Sequence, residues 1–313
     1  LMNNFVYCFD KNYNIQGYCS IMSLLKNCEN KVNIYIVHQD PETFNEFSNS
    51  IQSHKNLKKL IIYKFKNNDY EFPNLNNKHV SEATYYRLFL DKYLPDNIDT
   101  FLYLDADAYF IKKFEDLVYE ASTNLRNSEF IISALNGKGN FNHKRLKLKS
   151  GRYFNAGVLL VDYKKWLKAE VSFSLLKELQ NEGNELIFWD QDLLNMYFDG
   201  NFLDLNDSLN YNIYGDQKVS KNIISSISTN ATIVHYSGKY KPWSPRGVLA
   251  KESFFYNKIY RELFKEKYHI VNVFSWNTIK ILSKNLLTLK ILKLEYPLSY
   301  LYITLKTVLK KKN

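Results

Sequence analysis

Residues that commonly announce a function are scarce in this chain. Its 313 residues include only three cysteines, Cys8, Cys19 and Cys28, and no CxxC spacing. An odd, clustered set of this kind argues against a disulfide framework and against a zinc site, and reads as small buried hydrophobes. Ten glycines make a Gly-rich phosphate cradle improbable, and neither a Walker loop nor GxGxxG occurs. Six prolines form no Pro-rich hinge that would separate two domains before residue 250. No apolar run approaches the about 18 residues that a membrane-spanning helix needs. Leu1 to Asp10 has no basic stretch ahead of an apolar one, which reads against a signal peptide and predicts a cytoplasmic protein.

What is present is enough apolar residue to build a core, together with an uneven charge. Hydrophobic residues make up 45% of the chain, which excludes general disorder and allows one large α/β domain or two smaller ones. The net charge is +10, and residues 251–313 hold 12 Lys and one Arg against four Glu, a net of +9. The first 250 residues are thus nearly neutral. A nucleic-acid enzyme would spread its basic residues around the groove holding its ligand, so no nucleic-acid partner is expected. The chain divides into a body, residues 1–250, and a basic, mainly helical extension, residues 251–313. Within the extension Leu298, Leu301, Tyr302, Leu305, Val308 and Leu309 share one narrow helical face. Pro297 suits the first turn, and Lys306, Lys310 and Lys311 lie off that face. Such a helix can dock peripherally on an anionic membrane surface, the reading preferred here, or pack its apolar face on the body. Thr278 to Leu294 has scattered lysines and is expected to form a helix buried on several sides.

In the body, Phe5–Phe9, Val32–His38 and Leu60–Phe65 read as strands and Cys19–Lys26 and Pro41–Ser53 as helices, a βαβαβ rhythm that implies parallel strands. A helix over Ser81–Tyr93, capped by Ser81, precedes the strand Phe101–Leu104. Further strands are expected at Phe130–Leu135, Val158–Val161 and Thr232–His235, and a helix at Asp190–Phe198. Ligands of open parallel sheets bind beyond the carboxyl ends of the strands. That is where Asp105 and Asp107 of YLDADAYF fall. In strand geometry both carboxylates share one face, and such hard oxygen ligands suit Mg²⁺ or Mn²⁺ on a diphosphate. Taken alone, such a pair is more often a helix cap or a solvated turn than a metal site.

Four other segments accompany it: FDKNY (Phe9–Tyr13), YFNAGVLLVD (Tyr153–Asp162), WDQDLLNMYF (Trp189–Phe198) and HYSGKYKPW (His235–Trp243). In order and spacing, over about residues 3–245, these and the DxD resemble glycosyltransferase family 8. This is the family of bacterial lipooligosaccharide α-galactosyl- and α-glucosyltransferases and of glycogenin. The resemblance implies a GT-A type, Rossmann-like fold with a mixed, mainly parallel sheet flanked by helices. It also implies metal-dependent, retaining transfer of a hexose, galactose first and glucose next, from a UDP-sugar to a glycan or glycoprotein O-glycan acceptor. Mn²⁺ or Mg²⁺ would be held by Asp105, Asp107 and His235.

Lys241 and Gly238 match the family's positions at the β-phosphate, where a fixed positive charge and close backbone approach are wanted. Asp10, Asn12 and Tyr13 match those for uracil and ribose, and Cys8, Ala106 and Ala156 complete the donor-contacting set by the same resemblance. Arg87 matches an arginine reaching the donor sugar or phosphate, or else makes a surface salt bridge. Asn155, Asp190 and Gln191 match positions around the transferred sugar, and Asp190, Gln191 and Lys241 form the expected catalytic set. A neutral amide such as Gln191 is a poor nucleophile, which favours front-side attack. His79 matches a position near the acceptor. The loop NGKGNFNHKRLKLKSG is shorter than in the family's galactosyltransferases and puts Asn136 where they carry a sugar-binding aspartate. The basic cluster Lys144–Lys149 reads as a solvated face in preference to an acceptor cleft. A sugar-phosphate nucleotidyltransferase and an inactive UDP- or glycan-binding relative remain as alternatives.

Overall fold

The computed structural model describes residues 3–67, 70–73, 75, 81–137, 141–182, 186–214, 222–238, 240–271 and 276–309. The chain opens with β1 (Asn4–Phe9), α1 (Asn14–Asn27), β2 (Val32–His38), α2 (Asn45–Gln52) and β3 (Leu57–Lys64), the expected βαβαβ unit. A 3₁₀ segment, Glu82–Lys92, leads to β4 (Thr100–Leu104), β5 (Ala108–Phe110), α3 (Glu115–Arg126), β6 (Ile132–Asn136) and the short α4 (Asn142–Arg145). Then follow β7 (Phe154–Asp162), α5 (Tyr163–Lys168), α6 (Val171–Glu182), α7 (Trp189–Phe198), β8 (Leu203–Asp204), β9 (Tyr211–Asn212), α8 (Ile223–Asn230) and β10 (Ile233–His235). The C-terminal region holds α9 (Phe254–Phe264), α10 (Trp276–Leu287) and α11 (Pro297–Leu309).

Seven strands form the main sheet in the order β3-β2-β1-β4-β7-β6-β8. β1 to β4 are parallel, whereas β7 runs antiparallel to both of its neighbours. Side chains alternate across this sheet as a two-residue period requires. Val6, Cys8, Phe101 and Tyr103 enter the core beneath the 3₁₀ segment, α6 and α7, while Phe5, Tyr7, Leu102 and Leu104 enter the opposite core beneath α1, α2 and α3. After β3, at the edge, the chain returns to lay β4 on the other side of β1. The carboxyl ends of β1 and β4 therefore flank the point where strand order reverses, the usual ligand crevice of such sheets.

A second sheet, β5-β10-β9, stands beside this crevice. Its three-residue strand β5 is too short to signal itself by alternation. It is held by α1, whose Ser20 hydroxyl donates to the Ala108 carbonyl and whose Ser23 hydroxyl accepts from the Phe110 N–H. DxD is thus the turn between two sheets, not the end of one strand in which both carboxylates share a face.

Two other expectations change. Ser81 does cap its segment, accepting from the Ala83 N–H, but the backbone winds as 3₁₀ and breaks at Phe89 (φ −109°, ψ 15°). Ala83, Tyr85, Tyr86, Arg87, Leu88, Phe89 and Leu90 are all buried, so packing from more than one side overrides local helix preference. The segment Thr278–Leu294 is not a helix buried on several sides. It comprises most of α10 and a 3₁₀ turn, and it exposes Leu286, Leu287, Leu289 and Leu292 while burying Asn285 and Ile291. Among the described side chains of α11, Tyr300 and Thr304 are buried, with Leu301 and Ile303 packed beside them, and the Tyr300 hydroxyl donates to the Pro245 carbonyl at 2.8 Å. Lys310 and Lys311 lie outside the described residues, as do the side chains of Val308 and Leu309.

Candidate functional site

The site assembles because two antiparallel pairings end at one place. β7 runs antiparallel to β4, with Leu104 opposite Val158, so the start of β7, carrying Asn155, Ala156 and Gly157, lies where β4 delivers Asp105. β10 pairs with β5 so that His235 is opposite Ala108, which brings the imidazole to Asp107. His235 Nε2 stands 3.2 Å from Asp107 Oδ1 and 3.8 Å from Asp105 Oδ2. Ligand atoms of the three residues all lie within 4.8 Å of one another. They are the one such acidic and imidazole cluster among the described residues.

The geometry fits a divalent cation. Asp107 Oδ1 is buried and has no hydrogen-bond donor among the described residues. A Cβ at position 157 would lie 2.6 Å from His235 Nε2 and 2.8 Å from Asp105 Oδ2, so only glycine leaves room between the ligands. Two carboxylates and an imidazole suit Mn²⁺ and accept Mg²⁺.

Positive charge surrounds this cluster. Lys241 Nζ is 2.6 Å from Asp107 Oδ2 and also donates to the Tyr236 carbonyl. Burial opposes ionisation of Asp107, but electrostatic attraction, that of Lys241 foremost, outweighs it and holds the carboxyl well below its usual range. The lysine is raised in turn, the attraction of Asp107 overcoming burial. At Gly238 a Cβ would meet the Tyr214 carbonyl oxygen at 2.1 Å, so the backbone there also needs glycine for its own packing.

Arg87 is not at the surface. It is buried over the Tyr103 ring, 4.1 Å from its centroid, with Nη2 2.7 Å from Asp105 Oδ1 and Nε 2.7 Å from Asp190 Oδ2. Its Nη1 donates to the Ala156 carbonyl. Burial pushes the Asp190 carboxyl up to about 6 against the pull of Arg87 and of Thr84. Thr84 donates its hydroxyl to Asp190 Oδ1 at 2.6 Å. Gln191 Oε1 accepts from the Ala156 N–H at 3.0 Å and from Asn155 Nδ2 at 3.3 Å. Both residues sit in the first turn of α7, which opens with Trp189 at φ 47°, a left-handed conformation that costs roughly 1–3 kcal/mol. Asp192 accepts from the Ile187 and Phe188 N–H groups and fixes that turn.

At the end of β1, Asp10 accepts from the Asn12 backbone N–H at 2.9 Å and from Asn12 Nδ2 at 3.2 Å. Tyr13 meets Trp243 edge to face at 6.0 Å, which joins the FDKNY and HYSGKYKPW segments. Cys8 and Ala106 are buried in the cores, so their side chains belong to the packing beneath the crevice. In the basic cluster, Lys144, Lys147 and Lys149 are exposed, whereas Arg145 is not part of a solvated face, because it pairs with buried Asp192 at 2.7 Å. Asn136 ends β6, in register with Phe154. His79 lies outside the described residues. Sequence reading missed Thr84, Tyr103, Gly157 and Asn210. Tyr103 lies in YLDADAYF and donates its hydroxyl to Asp105 Oδ1 at 3.1 Å, so its closeness to DxD was a usable signal.

The family model for glycosyl transferase family 8 matches residues 4–246. A lipopolysaccharide 1,2-glucosyltransferase of Escherichia coli is 28% identical over 264 residues, 79% of this chain and 75% of that protein. General stress protein A of Bacillus subtilis is 24% identical, covering 88% of this chain and 94% of its own length. Among solved structures, the galactosyltransferase LgtC in complex with donor and acceptor sugar analogs matches with a TM-score of 0.66 at 22% identity, covering 83% of this chain and 96% of that one. This likeness shows the GT-A type fold. With the family match spanning most of the chain and its motif segments meeting at one crevice, this protein belongs to glycosyltransferase family 8.

Proposed function

We propose that this protein transfers a hexose, galactose in preference to glucose, from a UDP-sugar to a cell-surface glycan or a glycoprotein O-glycan, with retention of anomeric configuration. The observation that carries the reading is the cluster of Asp105, Asp107 and His235 with Lys241 beside it, at the crevice between β1 and β4. Family membership favours transfer over the nucleotidyltransferase alternative. In this reading residues 1–250 form the catalytic unit.

Asp105, Asp107 and His235 would hold Mn²⁺ or Mg²⁺, which would supply charge neutralisation to the leaving diphosphate. Lys241 adds a fixed positive charge to the same oxygens. Asp10, Asn12 and Tyr13 receive the uridine. Arg87 and Asp190 hold Asp105 and the start of β7 in place, and Asn155 with Gln191 borders the sugar. The bond from the sugar's C1 to the β-phosphate oxygen breaks while a bond from C1 to the acceptor oxygen forms on the same face. The acceptor's hydroxyl proton passes to the departing phosphate. Gln191 is a neutral amide with its oxygen already accepting two hydrogen bonds, which suits a positioning role better than covalent attack.

The extension, residues 251–313, serves as a peripheral membrane contact in this reading. No described helix is long and apolar enough to cross a membrane, but α11 turns Leu298, Tyr302 and Leu305 outward, 79%, 67% and 46% exposed. Apolar insertion beside a lysine-rich segment favours anionic lipid. The functional test is hydrolysis of UDP-Gal, UDP-Glc and UDP-GlcNAc with and without Mn²⁺, followed by a panel of short glycans. Asp107→Asn should abolish turnover while the protein remains folded by circular dichroism. Near wild-type rates in that variant would overturn the assignment.

A further inference from the structure

Asn210 belongs to no recognised motif, yet it is fully buried at the end of the 3₁₀ turn Asp207–Asn210 and touches both halves of the site. Its Oδ1 lies 3.0 Å from His235 Nδ1, and its Nδ2 lies 3.0 Å from Asn155 Oδ1. The polarity of this chain is set by backbone groups, which cannot flip. Asn155 Oδ1 accepts from the Gly157 N–H at 3.1 Å, so that atom is the carbonyl oxygen and the Asn210 atom facing it must be the NH₂ donor. The other end of Asn210, turned to the imidazole, is therefore an oxygen and can only accept. His235 must carry its proton on Nδ1. Ser237 agrees: its hydroxyl donates to Asn212 Oδ1, which leaves a lone pair for the same Nδ1–H at 3.2 Å.

We propose that Asn210 is a positioning residue that holds His235 in its Nδ1–H tautomer, leaves the Nε2 lone pair free toward Asp105 and Asp107, and ties this ligand through Asn155 to Gln191. The inference rests on the metal reading of the site. Partners of this kind, outside the ligands themselves, typically change metal affinity by about 10–100-fold when removed. Asn210 performs two separable tasks, accepting from His235 and donating to Asn155, and two substitutions divide them. Asn210→Leu removes both. Asn210→Asp keeps an acceptor for Nδ1–H but sets a carboxylate oxygen against Asn155 Oδ1.

Mn²⁺ binding to the full-length protein, with and without UDP, can be followed by electron paramagnetic resonance alongside KM and kcat for UDP-sugar hydrolysis. Asn210→Leu should weaken Mn²⁺ binding by about 10–100-fold. Asn210→Asp should bind Mn²⁺ close to wild type while kcat falls. If the leucine variant does not fold, the aspartate variant decides: parallel loss of Mn²⁺ affinity and kcat would mark Asn210 as merely structural. A folded Asn210→Leu with wild-type Mn²⁺ affinity overturns this proposal alone. A wild-type protein that binds no Mn²⁺ overturns the metal reading and this proposal with it.

Discussion

At position 157 a single methyl group would fill the gap between His235 and Asp105, within 2.1 Å of the imidazole Cε1. Gly157→Ala should therefore lower Mn²⁺ affinity at least as much as loss of one ligand would, and overpacking adds about 1–3 kcal/mol of destabilisation. Mn²⁺ titration and urea denaturation read the two effects separately, and unchanged Mn²⁺ affinity would show that the gap serves another purpose. Arg87 offers a second test at this scale. Removing one partner of a buried pair costs about 3–5 kcal/mol, because the remaining charge is uncompensated. Arg87→Met should show a loss of that order in chemical denaturation, and adding Asp190→Leu should recover a substantial part. Additive losses would mean that the two side chains are not coupled. Asp105, Asp107, His235 and Lys241 were legible because they sit in segments with a recognisable local pattern. Gly157 and Asn210 were not, because each acts on a residue more than 20 positions away in the chain.

Among elements, α11 separates two roles that share one amphipathic pattern. Tyr300 and Thr304 anchor it inward with Leu301 packed beside them, while Leu298, Tyr302 and Leu305 face out, so the face read from sequence as a unit is divided between packing and solvent. Replacing those three outward residues with Ser should change stability by no more than about 0.5 kcal/mol each, as at other exposed sites. The same replacement should abolish co-sedimentation with vesicles containing anionic phosphatidylglycerol, and so should deletion of residues 297–313. Wild-type binding by the triple variant would leave the lysines as a solvated face. Strands β1 and β2 could be read to within a residue because their apolar runs are bounded by polar turns. The Glu82–Lys92 segment could not be read correctly, since burial on several sides erases the periodicity on which such reading depends.

For the whole molecule, His269 reports how the C-terminal region joins the body. It is buried with its ring stacked on Tyr260 of α9, and its Nδ1 is 2.5 Å from the Tyr256 hydroxyl. α9 in turn packs on α1, and its Tyr256 and Tyr260 share a cluster with Tyr109 and Trp243. Burial lowers the His269 pKa from its ordinary 6.5 to about 4. Between those values the unfolded chain binds a proton that the folded chain does not, so stability rises with pH. The contribution is complete above pH 6.5 and is lost progressively as the pH falls toward 4, by up to about 3 kcal/mol. Urea midpoints at pH 7.5 and 5 should differ less in His269→Phe than in wild type. An equal difference would place the titration elsewhere.

Local chemistry along the chain was sufficient to indicate the family, the αβ rhythm of the first 65 residues and the identity of the charged groups that gather at the crevice, since each lies in a short segment with its own pattern. Topology decided the rest. Only the antiparallel insertion of β7 beside β4, and the pairing of β10 with β5, bring Gly157, Asn210 and His235 to Asp105 and Asp107. Proximity between residues 50 to 130 positions apart leaves no periodic trace in a sequence, because it depends on which strands pair and in which direction.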